Sequence, residues 1–415
     1  MDRKRDRSKV DSEPVCAVHL LDVGSEQYGD SIFCKLGNES VLIDGAHLSS
    51  KDQIKAQLAE LFKTMQMPYE LSLLIVTHAH TDHIGCLPEL IQDNFILPKW
   101  ALVADPELGW GGEQTVSKLR GMPKDIRLLV SLLREEPLVN PTKVELEQLQ
   151  QSADVLWERY TGMIVRLRQK GCKVIRYGKD DADALLSAFS GIGMTVPGPS
   201  QKQLELCSEL IARAVEAFTQ MAVQALSREK HSLENLSDTI SQAYKHLLAG
   251  MQEFRNDSLL ADAARNNPAV NDQSIVSCFR VGGRSLLFSG DMQWSAPGVT
   301  REIDKEMDEL LSNIVKQGNY DLFKLTHHGS KNGFSGKLWE RIKEPLLMGI
   351  CTGSRSKNHP SPKTLEELTK ILQDQNKEIR WVRTDHNGRV GLLFEDDGAK
   401  IHLSRGEVND PSPNQ

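Results

Sequence analysis

His78-Ala79-His80-Thr81-Asp82-His83 begins two residues beyond the apolar run Leu71–Val76 (LSLLIV). Four metal-binding side chains thus fall within six residues, at the mouth of what reads as a buried strand. Along a strand, neighbouring side chains point to opposite faces. Beyond its end the chain turns, and they can converge on one point. Imidazole and carboxylate together suit zinc, manganese or iron. A structural zinc site would draw on paired cysteines, and the chain has no Cys-x-x-Cys.

A divalent cation needs further ligands, and other strand ends should supply them. Arg284–Asp291 (RSLLFSGD) runs apolar and stops at Gly290-Asp291. Asp321–Ser330 (DLFKLTHHGS) stops at His327-His328-Gly329-Ser330, and Ser40–Gly45 (SVLIDG) ends on Asp44-Gly45. Four strand ends in chain order therefore carry Asp, HxHxDH, Asp and His-His. His327 and His328 are both candidates. The strand period favours His327, in phase with Phe323 and Leu325.

This ordered set resembles the metallo-β-lactamase superfamily, and within it the soluble hydrolase domain of ComEC-type competence proteins and their free-standing relatives. The resemblance is carried by LLDVGSEQYGDS at 20–31, VLIDG at 41–45, HAHTDHIG at 78–85, NDQSIV at 271–276, LLFSGD at 286–291, KLTHHGSK at 324–331, NHPSP at 358–362 and RTDHNG at 383–388. It covers residues 18–200 and 269–404. It implies an α+β fold: a four-layer αββα sandwich, two mixed sheets face to face with helices outside. It also implies two divalent cations, zinc or manganese. His78 and His80 would hold the first, Asp82, His83 and His327 the second, and Asp291 would bridge them. Asp44 would accept a hydrogen bond from a ligand imidazole and fix its tautomer.

The chain departs from the broader superfamily in one respect: no histidine lies between His83 and His231. A mid-chain ligand to the first metal is therefore replaced or absent. Asp105, after the apolar stretch Ala101–Ala104, is one candidate, whereas His231 and His246 sit in a helical segment. Such a centre would supply a water that ionises near neutral pH. Asp82, His328 and His359 are the candidate catalytic residues. Asp82 or Asp291 would carry the proton, and His328 or His359 would protonate a leaving group or clamp a phosphate. Gly329 and Ser330 are candidate backbone donors. His386 is assigned to a hairpin turn, because Asn387-Gly388 separates two strand-like runs.

The composition limits the alternatives. Net charge is −7, which argues against a broad basic groove for nucleic acid. No apolar run approaches the roughly 20 residues of a membrane span, so no channel and no membrane partner are expected. The charged start MDRKRDRSKVDSEP has no apolar core and reads as a disordered basic tail, 1–14. Seven scattered cysteines point to reduced thiols in a cytoplasmic protein. The hydrolase domain should run from 15 to 405, followed by a tail, 406–415.

Two stretches exceed a minimal hydrolase. Residues 113–170 read as connecting helices. Residues 201–266 read as a helical insertion: from Leu204 to Ala225, and again from Leu233 to Phe254, apolar residues recur at spacings of three and four. The insertion would cover the site, or dock a protein partner or a second copy. The expected function is a metal-dependent phosphodiesterase or nuclease, with nucleic acid as a substrate. Two alternatives stand beside it: a hydrolase of a small ester (a phosphocholine ester, a cyclic nucleotide or a lactone), and a hydrolase subunit of a larger assembly docked through 201–266.

Overall fold

A computed structural model of the chain describes residues 15–62, 66–138, 140–229, 236–253, 267–294, 303–334, 336–342, 345–374, 380–395 and 398–412. The predicted tail 1–14, His231 and residues 254–266 lie outside them. Fourteen strands follow in chain order: β1 Cys16–Leu20, β2 Ile32–Leu36, β3 Glu39–Ile43, β4 Tyr69–Val76, β5 Ile96–Ala104, β6 Lys173–Tyr177, β7 Thr195–Gly198, β8 Val276–Val281, β9 Arg284–Phe288, β10 Leu322–Lys324, β11 Leu347–Ile350, β12 Arg380–Arg383, β13 Val390–Glu395 and β14 Gly398–Leu403. They form two mixed sheets. The eight-stranded sheet runs β14-β13-β1-β2-β3-β4-β5-β6, and the six-stranded sheet runs β12-β11-β10-β9-β8-β7.

Alternation along the strands builds the layers. In β2, Ile32, Cys34 and Leu36 face the second sheet and meet Phe279, Leu286, Phe288, Leu322 and Val382 in one buried cluster. Phe33, between them, points the other way and packs on Phe62 of the helix Lys51–Phe62, in the core shared with Lys124–Arg134 and Leu156–Gln169. The second sheet repeats the scheme: Leu287, Phe323, Met348 and Trp381 pack outward on the helices Asp304–Lys316 and Pro362–Asp374. This is the αββα sandwich, with one core between the sheets and one beneath each helical layer.

Parallel pairing decides where chemistry can sit. β3, β4, β5 and β6 are parallel neighbours, as are β9, β10, β11 and β12. Parallel strands end on the same side, and groups just beyond their carboxyl ends share one crevice. Asp44, His78, Asp291 and His328 all follow such ends.

The structure corrects one local reading. The RTDHNG segment is not a hairpin turn. Thr384–Asn387 winds one short helical turn, and the chain passes from β12 in one sheet to β13 in the other. Asn387-Gly388 does turn the chain, with Gly388 at φ +65°, but the flanking strands are not partners. Residues 406–412 of the tail pack against β12. Asn409 N–H donates to the Trp381 carbonyl at 2.9 Å, its side-chain oxygen accepts from Trp381 N–H at 2.7 Å, and Arg383 Nη1 donates to Ser412 O at 2.9 Å.

The apolar seam of the helix Gln201–Glu229 does not serve mainly its neighbour Leu236–Glu253. Cys207, Ile211, Phe218 and Met221 share a core with Leu128, Leu129 and Leu132 of Lys124–Arg134, and Ile240, Ala243 and Tyr244 join the same core. Phe218 is fully buried. Phe218→Ala is expected to cost about 3–5 kcal/mol in chemical denaturation. A loss below about 0.5 kcal/mol, typical of surface changes, would show that this helix is peripheral.

Candidate metal centre

β4 delivers the HxHxDH residues into a buried pocket between the sheets. Thr77 closes the strand by donating its N–H and hydroxyl to Asp44, at 2.8 and 2.7 Å. His83 Nδ1 lies 2.8 Å from the same carboxylate. With Nδ1–H donated to Asp44, His83 Nε2 keeps a lone pair, and it lies 3.3 Å from Asp82 and 3.2 Å from Asp291. His328 repeats this arrangement from the other sheet. Its Nδ1 lies 3.0 Å from the Cys351 carbonyl, while its Nε2 lies 3.0 Å from both Asp82 and Asp291. One ligand atom from each of Asp82, His83, Asp291 and His328 falls within 4.8 Å of every other.

His78 and His80 form a second pair of donors. His78 Nε2 and His80 Nδ1 approach to 3.1 Å. That is near the ~3.3 Å between two ligands held by ~2.0 Å bonds on one tetrahedral cation. Ser274 holds the pair in place: its hydroxyl lies 3.3 Å from His78 Nδ1 and accepts the Asp291 N–H at 3.0 Å. Gly290 makes the turn that presents Asp291, at φ +50°, where a Cβ would stand 2.9 Å from Ser274.

The electrostatics are those of a cation site. Burial opposes charge on every group here, yet Asp82 and Asp291 are held well below the usual carboxylate range by His83 and His328. Against the same burial, Asp291 and Asp82 lift the imidazole of His83 well above its ordinary value, and Asp291 and Asp30 do so for His328. Asp82 Oδ1, Asp291 Oδ1 and His83 Nε2 are buried with no hydrogen-bond partner among the described residues. Unsatisfied carboxylate and imidazole lone pairs facing one another are costly unless a cation takes them. The residues present therefore fit a divalent metal.

The strand-period argument for His327 is corrected by this geometry. β10 ends at Lys324, and His327 and His328 both adopt left-handed backbone conformations, φ +50° and +49°. The two-residue period no longer applies there. His328 enters the carboxylate cluster, and His327 takes the outer position expected of His328. His327 Nε2 lies 3.2 Å from Glu136 and Nδ1 2.9 Å from the Ser330 hydroxyl. His359 Nε2 lies 3.8 Å from the other oxygen of Glu136. Gly329 and Ser330 are not free backbone donors, since their N–H groups bond Thr326 O and His327 O. Asp105 does not join the histidines either: it caps the helix Pro106–Gly109 through Leu108 N–H and lies 3.7 Å from Arg176.

Several groups at the site had no role in the sequence reading. Lys324 is fully buried, paired with Asp30 and 3.7 Å from Asp291. Burial works against its charge, but Asp30 and Asp291 outweigh it. Glu135 accepts from Thr81 N–H and Oγ1 at 2.8 and 2.9 Å, tying the mid-chain helices to the HxHxDH turn. Despite burial, the Glu136 carboxyl is lowered to about 2, by His327 first and then His359. Tyr28 donates to the Glu136 carbonyl at 2.5 Å and stacks on His328. Asp30 and Lys324 were inside quoted motifs, so a signal existed. Glu135 and Glu136 follow a helix with nothing to mark them.

The family description "Metallo-beta-lactamase superfamily" matches residues 25–164, which contain the whole HxHxDH turn. Over that third of the chain the protein is similar to the superfamily. ComE operon protein 3 of Bacillus subtilis (strain 168) is 29% identical over 138 residues, a match covering 33% of this chain and 16% of that relative. The similarity indicates a metal-dependent hydrolase in general terms. Asp291 and His328 lie beyond the matched residues, and the fold brings them to the matched motif.

Metal stoichiometry distinguishes the two adjacent histidines. His328→Ala is expected to lose metal measured by inductively coupled plasma mass spectrometry, and His327→Ala to keep it. Asp44→Asn should weaken metal affinity by about 10–100-fold through the His83 tautomer. Full metal content in His328→Ala would contradict the placement.

Proposed function

We propose that this protein hydrolyses phosphodiester bonds with a pair of divalent cations, zinc or manganese, held by His78 and His80 on one side, Asp82, His83 and His328 on the other, and Asp291 between. The observation that carries this reading is the convergence of Asp82, His83, Asp291 and His328 beside two further imidazoles. When bound, such a pair supplies a water ionised near neutral pH and stabilises charge developing on phosphorus. Asp82 and Asp291 accept the water's proton. His327 and His359, at the outer edge of the centre, hold a phosphate oxygen or return a proton to the leaving group, and Glu136 orients them. Lys324 offsets the crowding of Asp30 and Asp291 and keeps the bridging carboxylate in place. All seven cysteines are buried and free, in keeping with a reducing, cytoplasmic setting. No described helix is long and apolar enough to cross a membrane.

Chelation is expected to abolish hydrolysis of bis-p-nitrophenyl phosphate while the far-ultraviolet circular dichroism stays unchanged, because both sheets have cores of their own. His80→Ala and Asp291→Ala should each lower kcat by about 100-fold or more, since each removes a ligand from the groups that generate the nucleophile. Collapse of the dichroism signal together with metal loss would make the site structural and sink the catalytic reading.

A further inference from the structure

A cavity of about 1080 Å³ opens beside the metal centre. Its floor is polar: His327, His359 and Glu136. Its sides are apolar, with Pro137 and Leu138 on one wall and Leu248, from the helix Leu236–Glu253, on another. Lys245 of the same helix also lines it. Lys245 is exposed. The volume is at the upper end of the roughly 300–1,000 Å³ of small-ligand sites, so it holds much more than one phosphate group.

The lining argues against a tracked strand. Proteins that hold long single strands stack successive bases on aromatic side chains along a basic groove. No Phe, Tyr or Trp lines this cavity, and the whole chain carries a net charge of −7. What the cavity offers is one compartment with apolar and polar walls, the imidazoles of His327 and His359, and two lysines, Lys331 from the His327 loop and Lys245 from the helix Leu236–Glu253.

We propose that the cavity seats one terminal nucleotide, with Lys245 on one of its phosphates, so that the enzyme acts on dinucleotides and strand ends. This rests on the phosphodiesterase reading and names its substrate class. In the step, the water oxygen bonds to phosphorus as the P–O bond to the leaving nucleotide breaks. One water proton passes to that leaving oxygen, which departs as a hydroxyl. Lys245 lies outside the reacting atoms and sets specificity.

The test uses the full chain loaded with manganese. Substrates are bis-p-nitrophenyl phosphate, the diadenylate ApA, its phosphorylated forms pApA and ApAp, and one single-stranded DNA in linear and circular form. One phosphorylated form should show a KM about tenfold below that of ApA, the scale of one charge-assisted contact. Lys245→Ala should erase that preference and Lys245→Arg should retain most of it. The linear DNA should be shortened from an end while the circle persists. Equal KM values for all three diadenylates, an unchanged preference in Lys245→Ala, or cleavage of the circle as fast as the linear form would overturn this inference alone. No hydrolysis of bis-p-nitrophenyl phosphate or of any other diester would overturn the phosphodiesterase reading, and this inference with it.

Discussion

Asp30, Asp44, Asp82 and Asp291 are buried around one point where the two sheets meet. Carboxylates this deep repel one another and have lost their hydration, so each must be compensated within a few ångströms. The compensation comes from both halves of the chain. His83 follows β4 in one sheet, while Lys324 and His328 belong to the β10 segment of the other. Asp30 bonds Lys324 across the interface between them. The metal centre and the docking of the sheets are therefore the same set of contacts. A change that opened the sandwich would release the charges, and loss of Lys324 would leave Asp30 without this partner across the interface.

The backbone around this point is also under strain. Asp44, Ala46, His327 and His328 all take positive φ without being glycine, at about 1–3 kcal/mol each. They flank the metal centre on both sheets. Two successive left-handed residues let His327 and His328 diverge, one toward the carboxylates and one toward the cavity. A regular strand or helical turn would have aimed them by its own period. The strain thus separates an imidazole among the carboxylates from one lining the cavity in two consecutive positions.

What could be read in advance follows from distance along the chain. HxHxDH was legible because its members are contiguous and follow an unbroken apolar strand, and Asp44 and Asp291 because each ends such a strand. The sandwich itself was legible as a resemblance carried by ordered motifs, with alternation such as Ile32, Phe33, Cys34 supplying its layers. The choice between His327 and His328 was not, because it depends on dihedral angles that no periodicity encodes. Lys324 sits in an apolar strand where a lysine looks like an exposed position, and only its pairing with Asp30, 294 residues away, makes it an interior one. Glu135 and Glu136 reach the site because helices pack there. Asn387-Gly388 misled for a related reason: its turn chemistry is local, while the assignment of β12 and β13 to different sheets is not.

The segment ending at Ser412 lies along β12, the outermost strand of the six-stranded sheet, and takes both main-chain groups of Trp381 through Asn409. An uncovered outer strand offers a row of donors and acceptors to any extended chain that meets it. Here part of that row is already occupied by the protein itself, which makes the last turn of the polypeptide a guard against self-association. A chain shortened by ten residues would retain every group of the metal centre and still present a templating edge to its neighbours, so that its first failing in solution would be one of solubility.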